Sequence, residues 1–291
     1  MMSEIDMRRN FIQRYSIALF FVLALLLGAG IIYLVAEGII PSELFLLAAL
    51  SSSIAGILMT TVEDGKAGLK LMWHRLIIWR VKIGYWLFVL IFLLLAFMIG
   101  SAINPLFNGD PIDFNNMQPI WGFIPLFIVF VIVAGIGEEL GWTGFLTPRL
   151  QSRYSALTES LFRAVLVCLW HLPLFIYSSL GSLSFADLHY SGWISQLGFV
   201  QSLVAFTFLF LIPWSIFITW IFNNTRGSLL LVAVLHGSEI WVAYWMVSTG
   251  IDPANFGNWW GYGAILLVAA GAIVLFNGAE NLSRKHERIA H

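Results

Sequence analysis

The sequence predicts an all-α, polytopic membrane protein with about eight transmembrane helices. Composition and the sidedness of its charges carry that prediction. Of 291 residues, 59% are hydrophobic and 11% charged, where a soluble domain carries about a quarter charged residues. Mean hydropathy is +0.87. Backbone groups in lipid need partners inside their own segment, so the spans must be helical. A net charge of −1 leaves no electrostatic footprint for nucleic acid. The single cysteine, Cys168, lies in an apolar stretch and reads as a small core residue.

Crossing the hydrocarbon takes about 20 apolar residues as helix, and eight segments qualify. The first, 14–36, is a long apolar run with no small-residue cleavage site after it, which predicts a retained span. The second, 40–61, and third, 84–103, flank a basic connection at 62–83. The fourth, 119–143, holds IWGFIPLFIVFVIVAGIG and then the two glutamates of GEELGWTGF. The fifth, 161–181, contains WHLPLF, whose Pro173 predicts a kink beside His171. The sixth, 197–222, and seventh, 227–248, meet at a turn with Arg226. The eighth, 257–278, precedes a basic tail. With no internal repeat or low-complexity tract, 1–291 reads as a single transmembrane domain, its polar core at about 130–245.

Eight spans put every Lys and Arg on one face: Arg8, Arg9, Arg14, Lys66, Lys70, Arg75, Arg80, Lys82, Arg149, Arg153, Arg163, Arg226, Arg284, Lys285 and Arg288. The opposite loops hold only acids: Glu37, Glu43, Asp110, Asp113, Asp187 and Asp252. Positive residues mark the cytoplasmic face, so both termini are expected there, in the cell membrane. The 62–83 connection mixes basic and bulky apolar residues at helical spacing, as an amphipathic helix on anionic lipid would. Trp121, Trp193, Trp259 and Trp260 near span ends read as interface anchors.

Few ionisable residues remain inside the spans: Glu138 and Glu139 in the fourth, His171 in the fifth, His236 and Glu239 in the seventh. Intramembrane ionisable residues mark functional sites by default, because each needs a partner or a wet cavity. At about 1.5 Å per residue, both histidines lie ~12–15 Å below their basic markers. The glutamates reach the same depth from the opposite direction. A carboxylate beside an imidazole can activate water, and a second histidine can stabilise an oxyanion. Alternatively His171, His236 and Glu139 could hold a divalent metal such as zinc, with a position left open for water. The chain has no HExxH, cysteine cluster, Walker motif or G-x-S-x-G.

At these residues the sequence resembles the CPBP family, also called the Abi or type II CAAX protease family. Its first motif, EExxxR, stands here as Glu138-Glu139-Leu140-Gly141-Trp142-Thr143. Its second, FxxxH within LWHLP, stands as Val167-Cys168-Leu169-Trp170-His171 followed by Leu172-Pro173. Its third, HxxxN or HxxxD, begins at His236 after a matching lead-in of Asn223, Thr225, Gly227, Ser228 and Leu229. Thr143 stands where the family has arginine, and Ile240 where it has Asn or Asp. Arg149, Arg153 and Arg163 are the candidates to supply the missing charge, and Glu239 the missing polar group.

The resemblance implies an intramembrane endopeptidase, glutamate- or metal-dependent, acting on a peptide or lipidated protein that enters from the cytoplasmic side. Glu138 would be the general base with His171 as its partner, and His236 the oxyanion donor or a metal ligand. Glu139, Thr143, Asn223 and Glu239 would support them. The departures keep a second expectation open, a catalytically inactive scaffold or bacteriocin-immunity-type member. A proton-coupled transporter using the same Glu/His chain stands third.

Overall fold

The computed structural model describes residues 4–115, 117–183 and 190–291, with side chains from Ile12 onward. The expectations for Arg8, Arg9 and Asp187 fall outside that description. Among the described residues every regular element is helical, and eight helices have the length and composition to cross a membrane. They are α1 (Glu4–Ala36), α2 (Leu50–Leu76), α3 (Ile83–Ser101), α4 (Ile120–Gln151), α5 (Ala156–Ser179), α6 (Phe199–Asn224), α7 (Leu229–Val247) and α8 (Phe256–Asn277). A 3-10 segment, Ser42–Ala49, leads into α2.

α4 lies against α2 on one side and α7 on the other. Glycines make those crossings close. A Cβ on Gly141 of α4 would stand 2.1 Å from the Ser52 carbonyl oxygen, and one on Gly56 of α2 would stand 2.7 Å from Gly141 Cα. On the far side, a Cβ on Gly135 would stand 2.3 Å from the Ala233 carbonyl oxygen. Small residues allow such backbone approach where lipid supplies no hydrophobic drive between helices. α5 packs on α1 and α6, and α8 on α3 and α6, closing the bundle.

Loop contacts divide as the charges do. At one end, Arg226 Nη2 donates to the Arg80 carbonyl (2.7 Å) and Arg149 pairs with Glu63 and Asp64 (2.7 and 2.6 Å). The tail carbonyls of Glu280 and Ala279 accept from the amides of Ala156 and Leu157 at the start of α5 there. At the other end, Asp110 accepts from Asn258 Nδ2 (2.6 Å) and the Asp113 amide donates to the Thr249 carbonyl (3.0 Å). An even number of spans produces this segregation.

Several expectations change. The second span does not stop at 61: α2 continues to Leu76, broken at Gly65 (φ 60°, ψ −147°), so the amphipathic stretch is largely its extension. The fourth span runs on to Gln151 and the fifth begins at Ala156, where Ser155 caps it by accepting from the Thr158 amide (3.2 Å). Arg163, read as a loop charge, is therefore two turns inside α5 and only 1% exposed. Trp193 and Trp259 are 2% and 6% exposed, packed on each other with ring centroids 5.4 Å apart, whereas Trp121 is 70% exposed, as an interface anchor should be. α5 continues as helix through Pro173.

Candidate active site

The glutamate pair occupies an irregular part of α4. A short α-helical turn, Gly137–Glu139, sits between two π-helical stretches, Val131–Ile136 and Leu140–Leu146. π turns widen the helix and free carbonyls from their usual partners, and they recur at functional sites. α2 answers with serines. Ser53 Oγ donates to the Ile136 carbonyl (2.9 Å) and Ser52 Oγ to the Glu138 carbonyl (3.1 Å). The backbone carrying Glu138 and Glu139 is thus held from outside its own helix.

Glu139 is buried (3% exposed) and fully engaged. Its Oε1 lies 2.9 Å from His236 Nδ1 on α7, and its Oε2 accepts from the Thr143 hydroxyl. Thr143 Oγ1 in turn accepts from Arg163 Nη1 (3.1 Å), and the guanidinium stands 3.9 Å from Glu139 Oε2 itself. Arg163 is fixed from two further directions. Its Nη2 donates to the Ser215 carbonyl of α6 (2.8 Å), and its Nε faces Glu159 at 3.8 Å. Glu159, wholly buried, also accepts from Thr147 (2.8 Å) and Thr219 (2.7 Å). The result is a continuous polar chain from α6 and α5 through Thr143 to Glu139 and His236. Its alternating charges and hydrogen bonds are what a buried charge requires.

Glu138 differs. Its side chain is half-buried and, among the described residues, has no hydrogen-bond or ion-pair partner. His171, also half-buried, places Nδ1 2.8 Å from the Val167 carbonyl. A carbonyl only accepts, so Nδ1 carries the proton and Nε2 presents a lone pair. The same logic at His236 makes Nδ1 the donor to Glu139, leaving Nε2 free. Trp170 and Phe206 pack on the His171 ring, and Trp214 packs edgewise on His236. The hydrogen-bonded carboxylate–imidazole pair is therefore Glu139 with His236. Glu138 and His171 are not bonded to each other.

The supporting residues separate. Thr143 sits in the chain of contacts. Asn223 does not: its amide pairs with Gln151 (2.9 and 3.2 Å) and holds the tail through the Asn281 carbonyl and the Ile289 amide. Glu239, half-buried on α7, makes no hydrogen bond with His236. Of the three candidate arginines, Arg149 is committed to Glu63 and Asp64, Arg153 is exposed, and Arg163 takes the place beside Glu139. Glu159 was missed altogether, as was the burial of Arg163. The available signal was Ser155, which caps a helix that begins at Ala156, ahead of the 161 that hydropathy suggests.

The donor set does not fit the metal alternative as placed. Among the described residues no group of three or more His, Cys, Asp or Glu side chains converges to hold an ion. Both Glu139 oxygens already have protein partners.

Residues 120–242 match the family described as Rce1-like, type II CAAX prenyl endopeptidase. The motif-bearing core of this chain is therefore similar to that family. The chain is also similar to CAAX prenyl protease 2 of Methanococcus maripaludis, 29% identical over 148 residues, which is 51% of this chain and 48% of the relative. The match thus spans about half of each protein. The matched segment 120–242 carries all three motifs and both ends of the Glu139–His236 contact.

Proposed function

We propose that this protein is an intramembrane endopeptidase of the CAAX prenyl type, hydrolysing a peptide bond in a peptide or lipidated protein that enters from the cytoplasmic side. The observation that carries the reading is the division of labour between the two glutamates. Glu139 is tied to His236, Thr143 and Arg163, while the side chain of Glu138 beside it has no hydrogen-bond or ion-pair partner among the described residues. A carboxylate without a partner among the described residues, one residue along from the carboxylate that holds His236, is free to bind and activate water.

In this reading Glu138 takes a proton from water as the oxygen adds to the carbonyl carbon, and the lone pair on His171 Nε2 accepts the water's other proton as a hydrogen bond. The carbonyl oxygen becomes an oxyanion. His236, protonated and held by Glu139, donates to it from Nε2. Glu138 then returns its proton to the leaving amine as the carbon–nitrogen bond breaks. Thr143 and Arg163 fix Glu139 and act through it. No step passes through a metal. The arrangement of the basic residues supports cytoplasmic termini.

The test is cleavage of a prenylated peptide with a CAAX-type end by purified protein in lipid nanodiscs. Glu138→Ala and His171→Ala should each abolish turnover while the protein remains folded. Wild-type turnover in either variant refutes the assignment. Absence of any Glu138-dependent cleavage across a peptide library would favour the non-catalytic scaffold.

A further inference from the structure

At the basic end of the bundle, away from the glutamates, a cavity of about 390 Å³ opens where α2 ends. Arg75, Arg80, Arg226 and His74 line it, with no carboxylate among its walls. Among the described residues none of the three arginines has an ion-pair partner. Uncompensated guanidiniums converging on one cavity call for an anion.

The walls are fixed before anything binds. The 77–82 connection gives its carbonyls to other elements: Ile78 to Ser228 Oγ (2.6 Å), Trp79 to Trp86 Nε1 (3.1 Å) and Arg80 to Arg226 Nη2 (2.7 Å). Those carbonyls are satisfied, so they leave the remaining guanidinium N–H groups available. Arg75 lies over the Phe222 ring at 5.3 Å and against Gly227 (φ +77°), where a Cβ would stand 3.1 Å from Arg75 Nε. A side chain at 227 would push into the Arg75 guanidinium.

The other walls decide which anion. Leu71, Ile77 and Trp79 line the same cavity and are 50%, 68% and 57% exposed. Ile83, 71% exposed, begins the next candidate span. A charged cradle opening directly onto apolar, outward-facing side chains at the end of membrane-crossing helices matches a molecule with a phosphate at one end and acyl chains at the other. We propose that Arg75, Arg80 and Arg226 bind the phosphate of an anionic phospholipid headgroup, with the glycerol and acyl chains lying along Leu71, Ile77 and Trp79.

Binding is read by native mass spectrometry and by thermal shift in detergent, titrating phosphatidylglycerol against phosphatidylcholine. Phosphatidylglycerol should bind preferentially. Each arginine facing an anionic headgroup is worth roughly fivefold in affinity, so Arg75→Gln with Arg226→Gln should weaken that preference by about 25-fold. Arg226→Lys should retain most of it. Arg80→Gln, at an exposed side chain, gives a single variant whose folding is not in question and should weaken binding about fivefold. Unchanged preference in both the double variant and Arg80→Gln overturns the proposal. Equal stabilisation by inorganic phosphate alone also overturns it, by making a free anion the ligand. None of these readouts requires peptidase activity, so failure here is distinct from failure of the proposed reaction.

Discussion

Arg163 should be the most consequential residue outside the glutamates and histidines. Consider Arg163→Met, which keeps much of the volume and removes the charge. The guanidinium stands 3.9 Å from Glu139 and 3.8 Å from Glu159. At an effective dielectric constant near 20, each contact is worth about 4 kcal/mol of gross attraction. Removal also deprives Thr143 Oγ1 and the Ser215 carbonyl of their donor. Desolvation of the pair in the folded state offsets part of this, and measured losses for breaking a buried ion pair run about 3–5 kcal/mol. That is a large share of a typical total stability of roughly 5–15 kcal/mol. The melting temperature in detergent should fall by on the order of 10 °C. In whatever protein remains folded, kcat should fall more than KM rises, because Glu139 loses the contact that holds it against His236. Restoring charge from the other side, Thr143→Arg with Arg163→Met, should recover stability and activity together. A single Arg163→Met variant with wild-type melting and cleavage would refute the argument.

Four further outcomes follow from the geometry. Glu138→Gln should abolish cleavage with little loss of stability, whereas Glu139→Gln should lower the melting temperature as well, since among the described residues the Glu139 side chain is hydrogen-bonded and the Glu138 side chain is not; melting curves beside turnover assays separate the two. Gly141→Ala, whose Cβ would stand 2.1 Å from the Ser52 carbonyl oxygen, should cost at least about 1–3 kcal/mol by overpacking, read as a lowered melting temperature. Asn223→Ala should loosen the tail, seen as faster amide exchange at 281–289, and leave kcat unchanged. Cleavage should survive prolonged treatment with a zinc chelator, and loss of activity restored by added zinc would contradict the donor arrangement around Glu139.

The spans were legible because hydropathy measures what lipid selects, and the sidedness of the basic residues fixed their number. Depth placed both glutamates level with both histidines, since helical rise converts residue counts into ångströms, and Glu139 with His236 is the pair in contact. Which glutamate would carry the bond was not legible. The π turns on either side of Gly137–Glu139 rotate the side chains away from an ideal helix, and no local propensity in GEELGWTGF announces them. Arg163 was misplaced for a related reason. ALTESLFR is too polar to register as a span, yet Glu159 and Arg163 neutralise each other one turn apart and are buried as a unit. Asn223 was assigned by its motif position, while its amide matches Gln151 and the tail across a distance in sequence that no pattern reveals.

The bridge through Thr143 also bears on how such sequences vary. A cation can move from one helix to its neighbour and still serve the same carboxylate, provided a hydroxyl is left where it departed. Positions 143 and 163 then behave as one inherited unit. Across relatives, arginine at the first should accompany a small or apolar residue at the second, and threonine or serine at the first should accompany arginine at the second. Covariation between two sites twenty residues apart would be the mark of that exchange, visible even where a search for the first motif alone fails.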